Sequence, residues 1–305
     1  AIDGSYHGAT FGAMSVGERS IFTKPFFSIL FDVEFIPFPT KTNHAEVLKT
    51  FETHITEIAV AAFIFEPLVQ GASGMRMYAP ELLDKLIKSC NANGVLTIAD
   101  EVMTGFGRTG KLFASDHLTL KPDLICLSKG LTGGTMALGA TSCSELIVDE
   151  FRSEDLEQAF LHGHSYTANP LACTAANASL DLLLNDSTQE SIDRISQAHQ
   201  KFTDTLSHNK TIKDVRFMGT ILAIEFDSGE DSSYLSEMRN KIYPFFIERN
   251  VLLRPLGNLL YIIPPYIITN EELNIVYGTI LDFLDSLRYL LRICLVSLVI
   301  FNNLF

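Results

Sequence analysis

Three side chains in the first half of the sequence have types and positions suited to chemistry: Glu66, Asp100 and Lys129. Each stands where a short apolar run ends. "IAVAAFIFEP" delivers Glu66, "VLTIAD" delivers Asp100 and "DLICLSKGLTGG" delivers Lys129. A lysine beside a strand commonly lays its stem on apolar surface and sends its head to water. An aspartate at a strand end commonly caps a helix or bonds a loop. Together the two allow more. A lysine held in a partly apolar pocket becomes a nucleophile toward carbonyl carbon. A carboxylate there is costly unless it meets a cation or several donors. Gly130, Gly133 and Gly134 let the chain turn tightly behind the lysine.

One cofactor joins these two groups. Pyridoxal 5′-phosphate uses a lysine for its aldehyde and an acidic partner for its ring nitrogen. In this reading Asp100 keeps the ring nitrogen protonated, so the ring accepts electrons from the substrate Cα–H bond. Lys129 is then the general base that moves the Cα proton.

The elements that must position these residues follow from the pattern around them. The run from about residue 58 to Pro67 reads as a strand buried on both faces. "PELLDKLIKSCNANG" carries Leu82, Leu83, Leu86 and Ile87 on one helical stripe, with Pro80 near its start and Gly94 past its end. "VLTIAD", "DLICL" and "ALGATSC" read as further strands. Strand–helix alternation with apolar runs predicts an α/β fold around a mostly parallel sheet. Such sheets bind ligands at the carboxyl ends of their strands, where the three polar residues fall. Asn169 and Pro170 predict a helix start, and a long amphipathic helix is expected over about 188–208. Beyond it "DVRFMGTILAIEF", "VLLRPLG" and "LLYIIPPY" are strand-like, with helices near 232–249 and 270–287. The expected division is a large domain over 1–184, a smaller α+β domain over 185–287 and an atypical apolar extension over 288–305.

Composition narrows the class of ligand. The chain has 305 residues, 47% of them apolar and 19% charged, enough to build a substantial core. The net charge of −13 and the lack of any basic run exclude a nucleic-acid partner and point to small molecules. Five cysteines show no CxxC pairing and sit mostly among apolar neighbours, as in a reduced cytoplasmic protein. No histidine spacing suits a metal, so none is expected. The start, "AIDGSYHGAT", has no Met, signal peptide or helix-start pattern, and reads as the inside of a domain. At the other end, between Leu290 and Phe301, only Arg292 and Ser297 are polar. A spanning helix needs roughly 20 apolar residues, so a membrane anchor is disfavoured.

"IADEVMTGFGRTG", with its aspartate 29 positions before the lysine of "LSKGLTGG", resembles the class III aminotransferases of PLP fold type I. The resemblance runs through "FEPLVQGASGMRMY", "HGHSYTANPLAC" and "LRPLGNLLYIIPPY", and covers about residues 4–287. It implies a large PLP-binding domain, a smaller C-terminal α+β domain and a homodimer with shared sites. The "GMRMY", "SKGLTGG" and "LRPLGNLLYIIPPY" stretches resemble the subfamily that aminates 8-amino-7-oxononanoate with S-adenosylmethionine in biotin biosynthesis.

Residue roles come with the resemblance. Tyr6 matches the aromatic residue that stacks on the cofactor ring, and Val102 the aliphatic one on the opposite face. Ser165 falls where a hydroxyl reaches the cofactor phosphate across a dimer interface. Arg254 matches the arginine that grips the substrate carboxylate, and Arg108 and Tyr261 match further pocket residues. Glu66 lies near the site. Without the resemblance, Tyr6 and Ser165 read as loop residues and the arginines as surface charges. Two departures stand out: Ala9 replaces a pocket carboxylate, and the family's N-terminal segment, which includes an aromatic wall and a phosphate-binding Gly–Ser turn, is missing. Weaker cofactor binding is expected from the second. The rival readings are an ornithine or 4-aminobutyrate type of class III enzyme, and a truncated inactive relative. A nucleotide-binding module with "GLTGG" as phosphate loop lacks the required glycine spacing.

Overall fold

The computed structural model describes residues 1–207, 209–227 and 238–302, with side chains beyond residue 287 outside the description. The chain divides into two compact units, Ala1–Gln189 and Glu190–Phe305.

The first unit opens with a short helix, α1 (Phe11–Ser15), followed by α2 (His44–Glu57) and strand β1 (Ala62–Phe65). A two-residue antiparallel ladder, β2 (Val69–Gln70) with β3 (Arg76–Met77), leads into α3 (Pro80–Ala92). Next come β4 (Leu96–Asp100), β5 (Leu124–Leu127), β6 (Ala140–Cys143) and α4 (Glu145–Phe151). The unit closes with α5 (Pro170–Leu183) and the start of α6 (Asp186–Leu206).

Its main sheet has the order β1-β4-β5-β6, parallel except for the last strand, which pairs antiparallel with β5. The strand expected from residue 58 forms only over Ala62–Phe65, and Ile58 is exposed. α3 buries Leu82, Leu83, Leu86, Ile87 and Cys90 along one stripe, and Gly94 beyond it takes the left-handed φ of +70° that suits a helix exit. α5 is capped as its sequence suggests: Asn169 Oδ1 accepts the N–H groups of Leu171 at 2.9 Å and Ala172 at 3.3 Å.

A side-chain lock holds β4 against the start of β5. Asp123 Oδ2 accepts Thr97 N–H at 2.8 Å and Thr97 Oγ1–H at 2.7 Å, while Thr97 Oγ1 accepts Asp123 N–H at 3.0 Å. Three bonds between two residues leave little room for a register slip, which would turn every side chain of β4 to the opposite face. Asp100 therefore ends β4 opposite Cys126, and Lys129 follows β5 at the same carboxyl edge.

The second unit holds an antiparallel sheet in the order β7 (Ile212–Met218), β8 (Ile221–Phe226), β9 (Leu259–Ile262). With it come the rest of α6, α7 (Met238–Ile247) and α8 (Asn270–Asn302). Leu222, Ile224, Phe226, Leu260, Phe246 and Phe283 form its core. "VLLRPLG" is not a strand: residues 251–255 carry no regular structure, and Leu256 makes an isolated bridge with Leu259. Pro255 lacks an N–H, and Gly257 turns the chain at φ +61° directly before β9. In the expected extension, 288–305, the backbone continues α8 through Asn302, and its side chains lie outside the described residues. Among the described residues no helix is long and apolar enough to cross a membrane.

Candidate active site

The carboxyl edge of β1, β4 and β5 gathers several of the residues expected to do chemistry. Asp100 is buried, and each of its oxygens has one polar partner. Val102 N–H reaches Oδ1 at 3.1 Å, and His7 Nδ1 lies 2.7 Å from Oδ2. Glu66, one strand over, accepts Tyr6 N–H on Oε1 at 3.0 Å and Gly71 N–H on Oε2 at 2.9 Å. Burial pushes its carboxyl above the ordinary range, against the pull of those two N–H donors. Tyr78 donates its hydroxyl to the Glu66 carbonyl and is itself buried. Tyr6 and His7 are thus fixed by two carboxylates on adjacent strands. Tyr6 remains 54% exposed, next in sequence to His7, the partner of Asp100.

Glu101, directly after Asp100, is completely buried and organises the following loop. Its Oε2 accepts Thr104 Oγ1–H at 2.8 Å and Ala114 N–H at 3.0 Å. Its Oε1 accepts Ser115 N–H and Ser115 Oγ–H, both at 2.7 Å. The loop closed by these bonds carries Val102 and Arg108, both half-buried. Phe106 and Gly107 within it take left-handed φ values of +59° and +93°.

Lys129 opens a 3-10 turn, Lys129–Thr132, at φ +45°. That conformation costs a non-glycine residue roughly 1–2 kcal/mol, and such strain tends to be kept where a side chain must be aimed. The turn is pinned on several sides. Ser128 Oγ donates to Leu138 O at 2.7 Å, Ser179 Oγ of α5 donates to Gly130 O at 3.2 Å, and Gly134 N–H donates to Lys129 O at 3.2 Å. Gly130 passes so close to Phe106 that a Cβ there would lie 2.8 Å from the ring. The Lys129 side chain is exposed, so the apolar enclosure its sequence suggests is not built by the described residues. β6 is likewise exposed along its whole length. No hydrogen bond or ion pair to the Lys129 amine occurs among the described residues.

The other expected residues stand apart. Ser165 is exposed in the turn ahead of α5. Arg254 and Tyr261 belong to the second unit, Arg254 exposed before Pro255 and Tyr261 half-buried on β9 opposite Ala223. His7, Glu101 and Tyr78 escaped the sequence reading. The need for donors to Asp100 was visible, but nothing local marked His7, 93 positions away, as the donor.

The family profile "Aminotransferase class-III" matches residues 1–284. The chain belongs to the class III aminotransferases. It is 46% identical over 295 residues to the adenosylmethionine-8-amino-7-oxononanoate aminotransferase of Synechococcus elongatus, covering 94% of this chain and 69% of that protein. To the enzyme of the same name from Helicobacter pylori it is 34% identical over 299 residues, covering 94% and 67%. A crystal structure of the Methanocaldococcus jannaschii enzyme of that name superposes with a TM-score of 0.86 at 33% identity, covering 93% of this chain and 67% of that one. The chain thus spans about two thirds of the length of these relatives.

The cofactor of class III aminotransferases is pyridoxal 5′-phosphate, and the residues at this edge fit it. The donor set is the reason. A buried carboxylate is held by one backbone N–H and one imidazole nitrogen with lone pairs to spare, and an amine that no described residue engages stands at the end of the next parallel strand. Tyr6, 54% exposed, is tied to the neighbouring strand end through its backbone N–H.

Proposed function

We propose that this chain acts as an adenosylmethionine-8-amino-7-oxononanoate aminotransferase, taking the amine of S-adenosylmethionine and delivering it to 8-amino-7-oxononanoate. The observation that carries the reading is the Asp100–Lys129 pair at one sheet edge, set in a sequence 46% identical to a relative of that name.

Pyridoxal 5′-phosphate, when bound, supplies an aldehyde that condenses with amines and a ring that draws electrons from the substrate Cα. Asp100 holds the proton on the ring nitrogen. Tyr6 and Val102 would hold the ring between them. Ser165 reaches the phosphate in the neighbouring subunit of a homodimer. Lys129 Nζ would take the proton from substrate Cα and deliver it to C4′, the former aldehyde carbon of the cofactor. Arg254 grips the substrate carboxylate with its planar fork, and Arg108 and Tyr261 line the pocket. Glu66 fixes Tyr6 through its backbone. The first domain, 1–184, carries the cofactor, and the second, 185–287, supplies Arg254 and Tyr261. A biosynthetic enzyme of this composition belongs in the cytoplasm.

The test is chemical. Borohydride reduction of protein incubated with pyridoxal 5′-phosphate, followed by peptide mapping, should place the label on Lys129, and Lys129→Ala should abolish the visible band. Turnover with S-adenosylmethionine but not with ornithine or 4-aminobutyrate supports the substrate assignment. A label elsewhere, or ornithine as the preferred donor, overturns it.

A further inference from the structure

The chain enters Tyr6 through a hydrogen-bonded turn. Ser5 N–H donates to Ile2 O at 3.2 Å, with Asp3 and Gly4 at the centre of the turn and Gly4 at φ +80°. A positive φ at the third position marks a type II turn. Types I and II differ in which way the peptide between the two central residues faces, and here that peptide carries the Asp3 carbonyl. Two side chains hold it. Gln70 Nε2 donates to Asp3 O at 3.2 Å, and Arg76 Nη2 donates to the same oxygen at 2.9 Å. Gln70 and Arg76 stand opposite each other in the β2–β3 ladder, and Arg76 Nη2 also donates to Gln70 Oε1 at 2.6 Å. Ser73, between the two strands, donates its hydroxyl to Gly4 O. The guanidinium has a fitted seat. The Phe38 ring lies 4.1 Å from Arg76 Cζ, and a Cβ added at Gly4 would overlap Nη2.

We propose that Arg76 is a positioning residue for the cofactor site: with Gln70 it fixes the direction of the Asp3–Gly4 peptide and so sets the course of the chain into Tyr6. It acts through the backbone and not on the cofactor. Glycine makes the turn possible but leaves it free to rearrange. Glu66 holds the Tyr6 N–H, which fixes one point of the segment. The lock at Asp3 fixes a second, three residues upstream, and two points define a direction. A guanidinium suits the task, because it stays charged at any working pH and its hydrogen bonds are stronger than those of a neutral donor. Gln70, fully buried, supplies the second donor and keeps the guanidinium in place. This role rests on the proposed function, because it takes Tyr6 to be part of the cofactor site.

Two measurements test it. The first is amide hydrogen exchange in protein without cofactor. Arg76→Met keeps the length of the side chain and removes its donors. The amides of Ser5 and Tyr6 should then exchange about tenfold faster, while those of α3 and β4 keep wild-type rates. Arg76→Lys, which retains a charged donor, should restore most of the protection. The second is titration with pyridoxal 5′-phosphate, which Arg76→Met should bind about tenfold more weakly and Arg76→Lys close to wild type. Gln70→Met removes the partner donor alone and should move both readouts the same way by about threefold, which keeps the test open if Arg76→Met does not fold. Wild-type exchange at Ser5 and Tyr6, or faster exchange across the whole first unit, overturns the lock. Faster local exchange with unchanged cofactor affinity, in protein whose Lys129 takes the borohydride label, overturns the positioning role alone. A label away from Lys129 overturns the functional reading and this role with it.

Discussion

Glu66 Oε1 accepts the backbone N–H of Tyr6 at 3.0 Å across 60 positions of sequence. The bond ties the end of β1 to a segment that has no regular structure of its own. Its partner oxygen holds Gly71 N–H, so one buried side chain satisfies two backbone donors. Glu66→Ala leaves both donors unpaired, and the unfolding free energy of the first unit should fall by about 3 kcal/mol. Chemical denaturation followed by intrinsic fluorescence measures this. Cofactor affinity should drop in the same variant, because Tyr6 loses its anchor.

Glu101 presents a sharper case. It is fully buried and accepts four hydrogen bonds. Removing the carboxylate strands the N–H groups of Ala114 and Ser115 along with two hydroxyls. Glu101→Ala should destabilise the first unit by about 3–5 kcal/mol, a range set by charged hydrogen-bond acceptors inside proteins. Thermal denaturation and soluble yield read the outcome. A wild-type melting curve would contradict the role assigned to this residue.

The two glycines near Lys129 should fail for different reasons. In Gly130→Ala the new methyl meets Phe106 Cδ2 at 2.8 Å and Phe106 Cβ at 2.9 Å, so Phe106 or the turn must move. A loss of about 1–3 kcal/mol in stability is expected from that overlap, with a weaker hold on pyridoxal 5′-phosphate. At Gly134 nothing lies within 4 Å of an added Cβ, but its φ of +81° disfavours any side chain. Gly134→Ala should cost about 1 kcal/mol and leave cofactor affinity unchanged. Paired stability and titration curves for the two variants separate crowding from backbone strain.

The second unit carries its own pH dependence. His199 is buried, with Nδ1 2.7 Å from Tyr277 Oη and Nε2 3.2 Å from the Thr220 carbonyl oxygen. Burial pulls its pKa down to about 4, while the unfolded chain titrates near 6.5. Between those values the unfolded state binds the extra proton, so stability rises with pH across the window. The contribution is present above about pH 6.5 and is lost as pH falls to about 4, with a full amplitude of about 3 kcal/mol. Urea denaturation of wild type and His199→Gln over this range should show the wild-type advantage shrinking toward acid. A constant difference would refute the assignment.

Much of the first unit was legible because its signals are local. The stripe Leu82, Leu83, Leu86, Ile87 and the Pro80–Gly94 boundaries specify α3 without reference to the rest of the chain. Asp100 and Lys129 announced themselves by chemical type at strand ends. The donors that complete the site did not, since His7 meets Asp100 only after the sheet has formed. "VLLRPLG" misled for the opposite reason. Its apolar residues suit a strand, but Pro255 and the Gly257 turn deny it a pairing edge. The enclosure expected around Lys129 also depends on distant chain, and local composition says nothing about which surfaces will meet.

β1 and β4 pair in parallel with Phe65 opposite Ala99, so Glu66 and Asp100 are the next residues out on neighbouring strands. Each grasps one member of the consecutive pair Tyr6 and His7. Tyr6 and Asp100 are consequently indexed to a single ruler, the spacing of two strands. Insertions or deletions in the surrounding loops can reshape the neighbourhood while the separation of these two residues stays where the sheet has set it.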